Sequence, residues 1–258
     1  MKTVPLRYNR GVVVKEIQAK SILSKSEIYD YALNAYVGCQ HNCRYCYARF
    51  MKRFTGHAEP WGSFVDVKVN APELLAREVL RKKKGRVWVS GVCDAYQPLE
   101  GRYRLTRRCL EILADHGWPV TVQTKSPLVL RDLDILKRSP DVEVGFTIAT
   151  ADERVRLIFE PDAPPIARRI EALRRLHAAG ISTFVMVAPL LPGAERLAEL
   201  LRGKVDRALI DRYNYHYADR TYKDHGMAWA MGEDFFQEKG EALRAAFEQA
   251  GIPCQKLY

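Results

Sequence analysis

Three cysteines crowd into residues 38–50, GCQHNCRYCYARF: Cys39, Cys43 and Cys46, spaced C-x3-C-x2-C. Closely spaced thiolates are the ligands of iron–sulfur clusters, and a cubane in a ferredoxin takes four of them. Here the next cysteine is Cys93, far along the chain. Three thiolates would hold three irons of a cubane and leave the fourth open to a small molecule. A zinc site completed by His41 is the competing reading, but the paired C-x2-C knuckles of structural zinc are absent. That reading would make the chain a non-catalytic, metal-stabilised nucleic-acid-binding protein.

The elements that must carry this loop belong to a chain of 258 residues with 47% hydrophobic content. That length suits one α/β barrel as well as two small domains. No apolar run is long enough to span a bilayer, and residues 1–18 have no signal-peptide core, so a cytoplasmic protein with no membrane partner is expected. Six cysteines, three of them in the loop, fit a reducing compartment better than a disulfide framework. The formal charge of +10, from 41 Lys and Arg against 31 Asp and Glu, favours a polyanionic partner such as nucleic acid.

Strand and helix signals alternate, which is the pattern of a parallel sheet with crossover helices. Residues 1–31 read as an irregular extension with one β-like run at 11–14. Strands are expected at 31–37, 86–90, 120–124, 142–148, 181–187 and 208–211, with an extra alternating strand at 64–69. Helices are expected at 43–54, from Asn70 to about Lys83, at 106–114 capped by Thr106, at 128–137, at 166–179 ending at Gly180, at 195–201 and at 233–250. In parallel α/β folds chemistry gathers where strands end, so those ends are the places to search.

The cysteine spacing, with Tyr45 just before the third cysteine, resembles the radical S-adenosylmethionine (SAM) superfamily. The resemblance implies an incomplete (β/α)6 TIM-like barrel over residues 32–211, flanked by the N-terminal extension and by a C-terminal aromatic and basic segment with a helix at 212–258. It implies a [4Fe–4S] cluster on Cys39, Cys43 and Cys46 and SAM chelating the open iron. A one-electron reductant such as flavodoxin or ferredoxin would drive cleavage of SAM to a 5′-deoxyadenosyl radical, which abstracts a hydrogen atom from substrate. Tyr45 would pack near the adenine. The Gly-Gly-Glu-like stretch common after the second strand is missing here; Ser90 or Asp94 would offer the acceptor for the SAM amino group, unless Ser90 only caps the strand end.

TKS at 124–126, FEP at 159–161 leading into RIEA at 169–172, VAP at 187–189 and AYVGCQHNCRYCYAR at 35–49 are similar to the spore photoproduct lyase group. SGVCDAYQPLE at 90–100 looks more like relatives described as DNA repair photolyases. On that resemblance Lys125 would meet the SAM carboxylate, as a flexible point charge can, and Thr147 the ribose or methionine moiety. The carbonyls around Ala188 would border the adenine, since Pro189 has no N–H. The lyase has a hydrogen-donating cysteine after its second strand; Val92 matches its position and Cys93 follows one residue later. Cys93 is therefore either a displaced hydrogen-atom donor or a packed thiol.

Residues 211–232 hold Tyr213, Tyr215, Tyr217, Tyr222 and Trp229 among Arg212, Arg220 and Lys223. They are either stacking faces for unpaired bases or packing that seals the barrel's open end. The expected substrate is a nucleic-acid base or lesion; a peptide or small metabolite is the alternative.

Overall fold

The structure, a computed structural model, describes residues 6–8 and 11–258 and divides the chain into two compact units. The first comprises residues up to Asn42 and Ala48–Glu143, the second Cys43–Tyr47 and Val144–Tyr258. Residues 1–5 and 9–10 of the expected N-terminal extension lie outside the described residues.

In the first unit β1 (Leu6–Tyr8), β2 (Val12–Ile17), β5 (Tyr36–Val37) and β6 (Phe64–Lys68) form a four-stranded sheet in the order β1-β2-β6-β5. The β-like run at the N-terminus is thus a working strand, parallel to β6 from Val13 opposite Phe64 to Ile17 opposite Lys68. β6 does not alternate in burial: Phe64, Val65, Asp66 and Val67 are all buried. Its buried charge, Asp66, is matched by His57 Nε2 at 2.9 Å.

A second sheet of the first unit runs β3 (Leu23–Lys25), β4 (Tyr31–Leu33), β7 (Val87–Val89) and β8 (Val120–Thr124), with β4, β7 and β8 parallel. The expected strand at 31–37 is in fact two strands in two sheets. The break falls at Asn34, whose side-chain oxygen accepts the Val92 N–H (3.0 Å) and whose carbonyl takes the Lys68 ammonium (2.8 Å). These contacts turn the chain from one sheet to the other and so aim the cysteine loop.

Helix starts differ from the sequence reading for a similar reason. Asn70 precedes α1 (Ala71–Glu78), but its amide bonds both backbone groups of Ala19 and makes no side-chain cap. Thr106 does not cap its helix. After α2 (Glu100–Tyr103), α3 (Leu105–Asp115) begins behind Arg104 at φ +52°, and the buried Glu100 carboxylate accepts the Thr106 and Arg107 N–H groups. The Thr106 hydroxyl donates instead to the Ala95 carbonyl. A 3-10 turn over Pro127–Asp132 and α4 (Leu133–Arg138) complete the unit.

The second unit carries β9 (Val142–Thr147, from Val144 onward), β10 (Ser182–Val187), β11 (Arg207–Ile210) and β12 (Cys254–Lys256) in that order, with β10, β11 and β12 parallel. Its helices are α5 (Glu153–Phe159), α6 (Ile166–Ala178), α7 (Leu197–Leu201), α8 (Asp219–Asp224) and α9 (Glu233–Gln249). α6 is the helix expected there, and it ends at Gly180 in the left-handed region at φ +80°. On its inner face Arg169 is buried with Ile166, Leu173 and Leu176, while Ile170 is half-buried. Among the described residues no helix is long and apolar enough to cross a membrane.

Packing between β9 and β10 depends on one missing side chain. A Cβ on Gly145 would lie 2.0–2.4 Å from the buried Phe184 ring. Overpacking a closed core costs about 1–3 kcal/mol, so Gly145→Ala is expected to lower the denaturant midpoint by that equivalent; an unchanged midpoint would show that the ring can move aside.

Candidate functional site

The cysteine loop follows β5, and its first half is latched within the first unit. Gly38 sits at φ +90°, and a Cβ there would meet the Phe64 carbonyl oxygen at 2.3 Å, so only glycine fits. Gln97, fully buried, donates to the Gly38 carbonyl (3.2 Å) and accepts the Gln40 N–H (3.0 Å), while Gln40 accepts the Leu99 N–H (2.8 Å). The Asn42 N–H turns back to the Cys39 carbonyl (3.4 Å). His41 is buried between the first two cysteines, with Nε2 3.2 Å from Asp94 Oδ2.

Asp94 is the hub of this unit. Oδ1 accepts the Thr124 hydroxyl (2.7 Å) and the Tyr96 N–H (2.8 Å); Oδ2 accepts the Lys125 N–H (2.7 Å) and faces His41. Both oxygens of the carboxylate thus accept hydrogen bonds inside the protein, three in all. The expectation that Asp94 accepts from SAM is therefore corrected: its oxygens are committed inside the protein. Burial alone would raise its pKa, but the His41 ring and the hydrogen bonds outweigh burial and hold the carboxyl well below the usual carboxylate range. The same contacts fix the end of β8, and with it the base of Lys125, which is half-buried.

Ser90 and Cys93 share the turn after β7. The Ser90 hydroxyl donates to the Cys93 carbonyl (2.5 Å) and lies 3.2 Å from Cys93 Sγ. Burial pushes the Cys93 thiol up to about 11, despite the Ser90 contact and the Lys68 charge that draw it down. Cys93 is thus an S–H at neutral pH.

The second half of the loop is held within the second unit. Arg44 N–H donates to the Phe159 carbonyl at the end of α5 (2.7 Å), and Cys46 N–H to the Cys43 carbonyl (3.2 Å). The Tyr45 hydroxyl donates to the buried Glu160, which also pairs with Arg169 at 2.5 Å. The Arg169 guanidinium donates onward to the carbonyls of Pro164 (2.8 Å) and Thr147 (3.1 Å). Burial, then the Glu160 charge, keep the Tyr45 phenol protonated far above its ordinary range. Thr147 closes β9 and is buried; Ala188 follows β10 and is half-buried. The helix expected over 43–54 begins only at Tyr47 and is a 3-10 helix to Phe54, because these bonds hold Cys43–Cys46 in an irregular turn.

Cys39 and Cys43 are buried, Cys46 is half-buried, and none is in a disulfide. Among the described residues no three His, Cys, Asp or Glu side chains converge as on a single ion. Glu160, Arg169 and Gln97 are structural partners that the sequence reading did not assign.

Asp94→Asn puts an amide among donors and is expected to cost about 1–3 kcal/mol at neutral pH. Because the folded carboxyl titrates lower than the unfolded one, its contribution is full above the unfolded value and is lost as pH falls below about 4. The gap between wild type and variant in urea melts should therefore narrow in acid; a gap independent of pH would show that the charge is not what matters.

The radical SAM superfamily model matches residues 33–202. An uncharacterized protein of Methanocaldococcus jannaschii is 37% identical over 186 residues, covering 71% of this chain and 70% of that protein. A radical SAM Nalpha-GlyT isomerase of Pseudomonas phage M6 is 26% identical over 238 residues, covering 85% of this chain; the chain spans only 48% of that enzyme's length. Among solved structures, spore photoproduct lyase with bound AdoMet and dinucleoside spore photoproduct superposes with a TM-score of 0.68 at 18% identity, covering 96% of this chain and 82% of that one. That likeness shows the fold, a mixed α/β arrangement of parallel strands consistent with a partial TIM barrel. With the family model covering well over half its length, the chain belongs to the radical SAM superfamily, enzymes that use a [4Fe–4S] cluster and SAM and need an electron donor.

Proposed function

We propose that the chain initiates radical chemistry on a nucleic-acid base, with Cys39, Cys43 and Cys46 as ligands of the cluster. The observation that carries this reading is the loop itself: three thiols on one irregular turn, each half of it bonded into its own unit. When bound, the cluster and SAM supply one-electron cleavage of SAM and abstraction of a hydrogen atom from the substrate. Lys125 offers its ammonium to the SAM carboxylate from a strand end fixed by Asp94. Ser90 keeps acceptor lone pairs for the SAM amino group. Thr147 and Ala188 serve the ribose and adenine sides, with Tyr45 near the adenine, its hydroxyl tied to Glu160.

A nucleobase substrate is supported by the charge of +10 and by the relatives: the solved lyase holds a dinucleoside lesion and the phage enzyme is named for GlyT. Cys93 fits the return of a hydrogen atom, because burial keeps it as S–H. Its S–H bond breaks, a C–H bond forms on the product radical, and the sulfur radical left behind takes an electron from the external one-electron reductant and a proton from water.

Anaerobic reconstitution is expected to give a brown protein with about four irons that releases 5′-deoxyadenosine from SAM, and Ala in place of any of the three loop cysteines should abolish both. Stoichiometric zinc without SAM cleavage would sink the reading. Incubation with deuterated oligonucleotides should place label in 5′-deoxyadenosine; label from no nucleic acid would move the substrate to a peptide or metabolite. Cys93→Ala should still cleave SAM but lose correctly reduced product, whereas unchanged product and SAM turnover would remove Cys93 from the chemistry.

A further inference from the structure

We propose that Tyr47 and Tyr215 form a two-ring platform on which an unpaired base of a polynucleotide stacks. The inference rests on the nucleic-acid reading above and gives it a surface. The second unit sorts its C-terminal aromatics into two kinds. Tyr213 and Tyr222 turn inward: their rings lie 5.2 Å apart, Tyr222 packs on Phe159 at 4.5 Å, and the Tyr213 hydroxyl accepts the Ala218 N–H and donates to Asp219. These bonds pin the chain on either side of residues 214–217. Tyr215, between the pins, is 64% exposed, and its ring stacks on Tyr47 at 5.8 Å with 28° between the planes. Tyr47 is 36% exposed and directly follows Cys46.

The backbone makes the exposure harder to dismiss. Tyr215 and His216 stand consecutively in the left-handed region, at φ +70° and +55°. That region is uncommon for a bulky non-glycine residue and costs on the order of 1–3 kcal/mol where it occurs. Glycine or asparagine would sit there more easily. A ring held at a cost, turned to solvent and stacked on a second ring is poorly explained by packing.

The occupant follows from the platform's chemistry. It is flat and aromatic, and polar Asn214 and His216 flank Tyr215 in the chain. Exposed Arg44, Arg220 and Lys223 lie in the segments that carry the two rings. A planar base with a phosphate backbone matches both features. The base must be unpaired and unstacked, since bases inside a duplex have both faces covered.

The test is binding of fluorescein-labelled single-stranded oligothymidylate, and of a hairpin duplex, to anaerobically reconstituted protein with SAM. Tyr215→Asn keeps a left-handed backbone accessible and removes the ring; Tyr215→Phe keeps the ring. Tyr215→Asn should weaken single-strand binding about 5- to 150-fold, equivalent to roughly 1–3 kcal/mol per stacked base. Tyr215→Phe should stay within about twofold, and single strand should bind more tightly than duplex. The salt dependence should not change, because the ring neutralises no phosphate. Iron content and circular dichroism check that the variants fold. If wild type binds the single strand and Tyr215→Asn binds it equally well, the platform is overturned and the nucleic-acid reading stands. If wild type cleaves SAM but binds no oligonucleotide, the nucleic-acid reading falls and the platform with it.

Discussion

A single desolvated carboxylate organises the first unit. Asp94 is 8% exposed, and the side chain that faces it at ion-pair distance is His41. A buried charge is tolerated only when its hydrogen-bonding sites are filled, and removing one donor leaves the rest uncompensated. Here the donors come from separate stretches of chain: the turn it sits in, the end of β8, and the cysteine loop through His41. None can drift without leaving the charge bare. Cys93, Lys125 and His41 all lie next to Asp94 in sequence or in space. The exposed ion pairs, such as Arg138 with Asp115 or Arg174 with Glu171, do no comparable work, because water and salt screen them.

The second unit reaches the same end with an ion pair. Glu160 and Arg169 are both buried, and their pairing contributes little net stability once desolvation is set against it. Its value is geometric. The arginine fork has donors in fixed directions, and they go to Glu160, to the Pro164 carbonyl and to the Thr147 carbonyl at the end of β9. Lysine could supply the charge and not the directions. Glu160 passes that order on to Tyr45, and so to the turn between Cys43 and Cys46.

This division explains what was legible in the sequence. The cysteine spacing, β8 at 120–124 and the run of α6 could be read because each is local: ligand spacing, β-branched alternation, helical period with a glycine stop. The residues that went wrong are those whose partners are distant. Thr106 has the type of a cap, but Glu100 occupies that role from the preceding helix. Asn70 spends its amide on Ala19, 51 residues away. The stretch 31–37 has continuous strand character, yet Lys68 and Val92 bond to Asn34 and divide it. Asp94 was visible as a polar residue at a strand end, and only its partners reveal that its oxygens are spoken for.

The aromatic segment failed to declare itself for a different physical reason. Tyrosine has an apolar body and a polar tip, so composition serves a core and a binding face equally well. What separates Tyr213 from Tyr215 is two residues and a left-handed turn, and at Tyr215 that turn is not written in the residue type, since the region is uncommon for a bulky side chain. The anchors for the cysteine loop are interior, whereas Tyr215, His216 and Tyr217 are exposed. Substitution in that loop leaves Asp94 and Glu160 untouched, so the recognition surface can vary while the means of starting the reaction stays fixed. On this physical footing substrate identity should be sought in the exposed loop and not in the buried network, however strongly the network resembles that of a protein whose substrate is known.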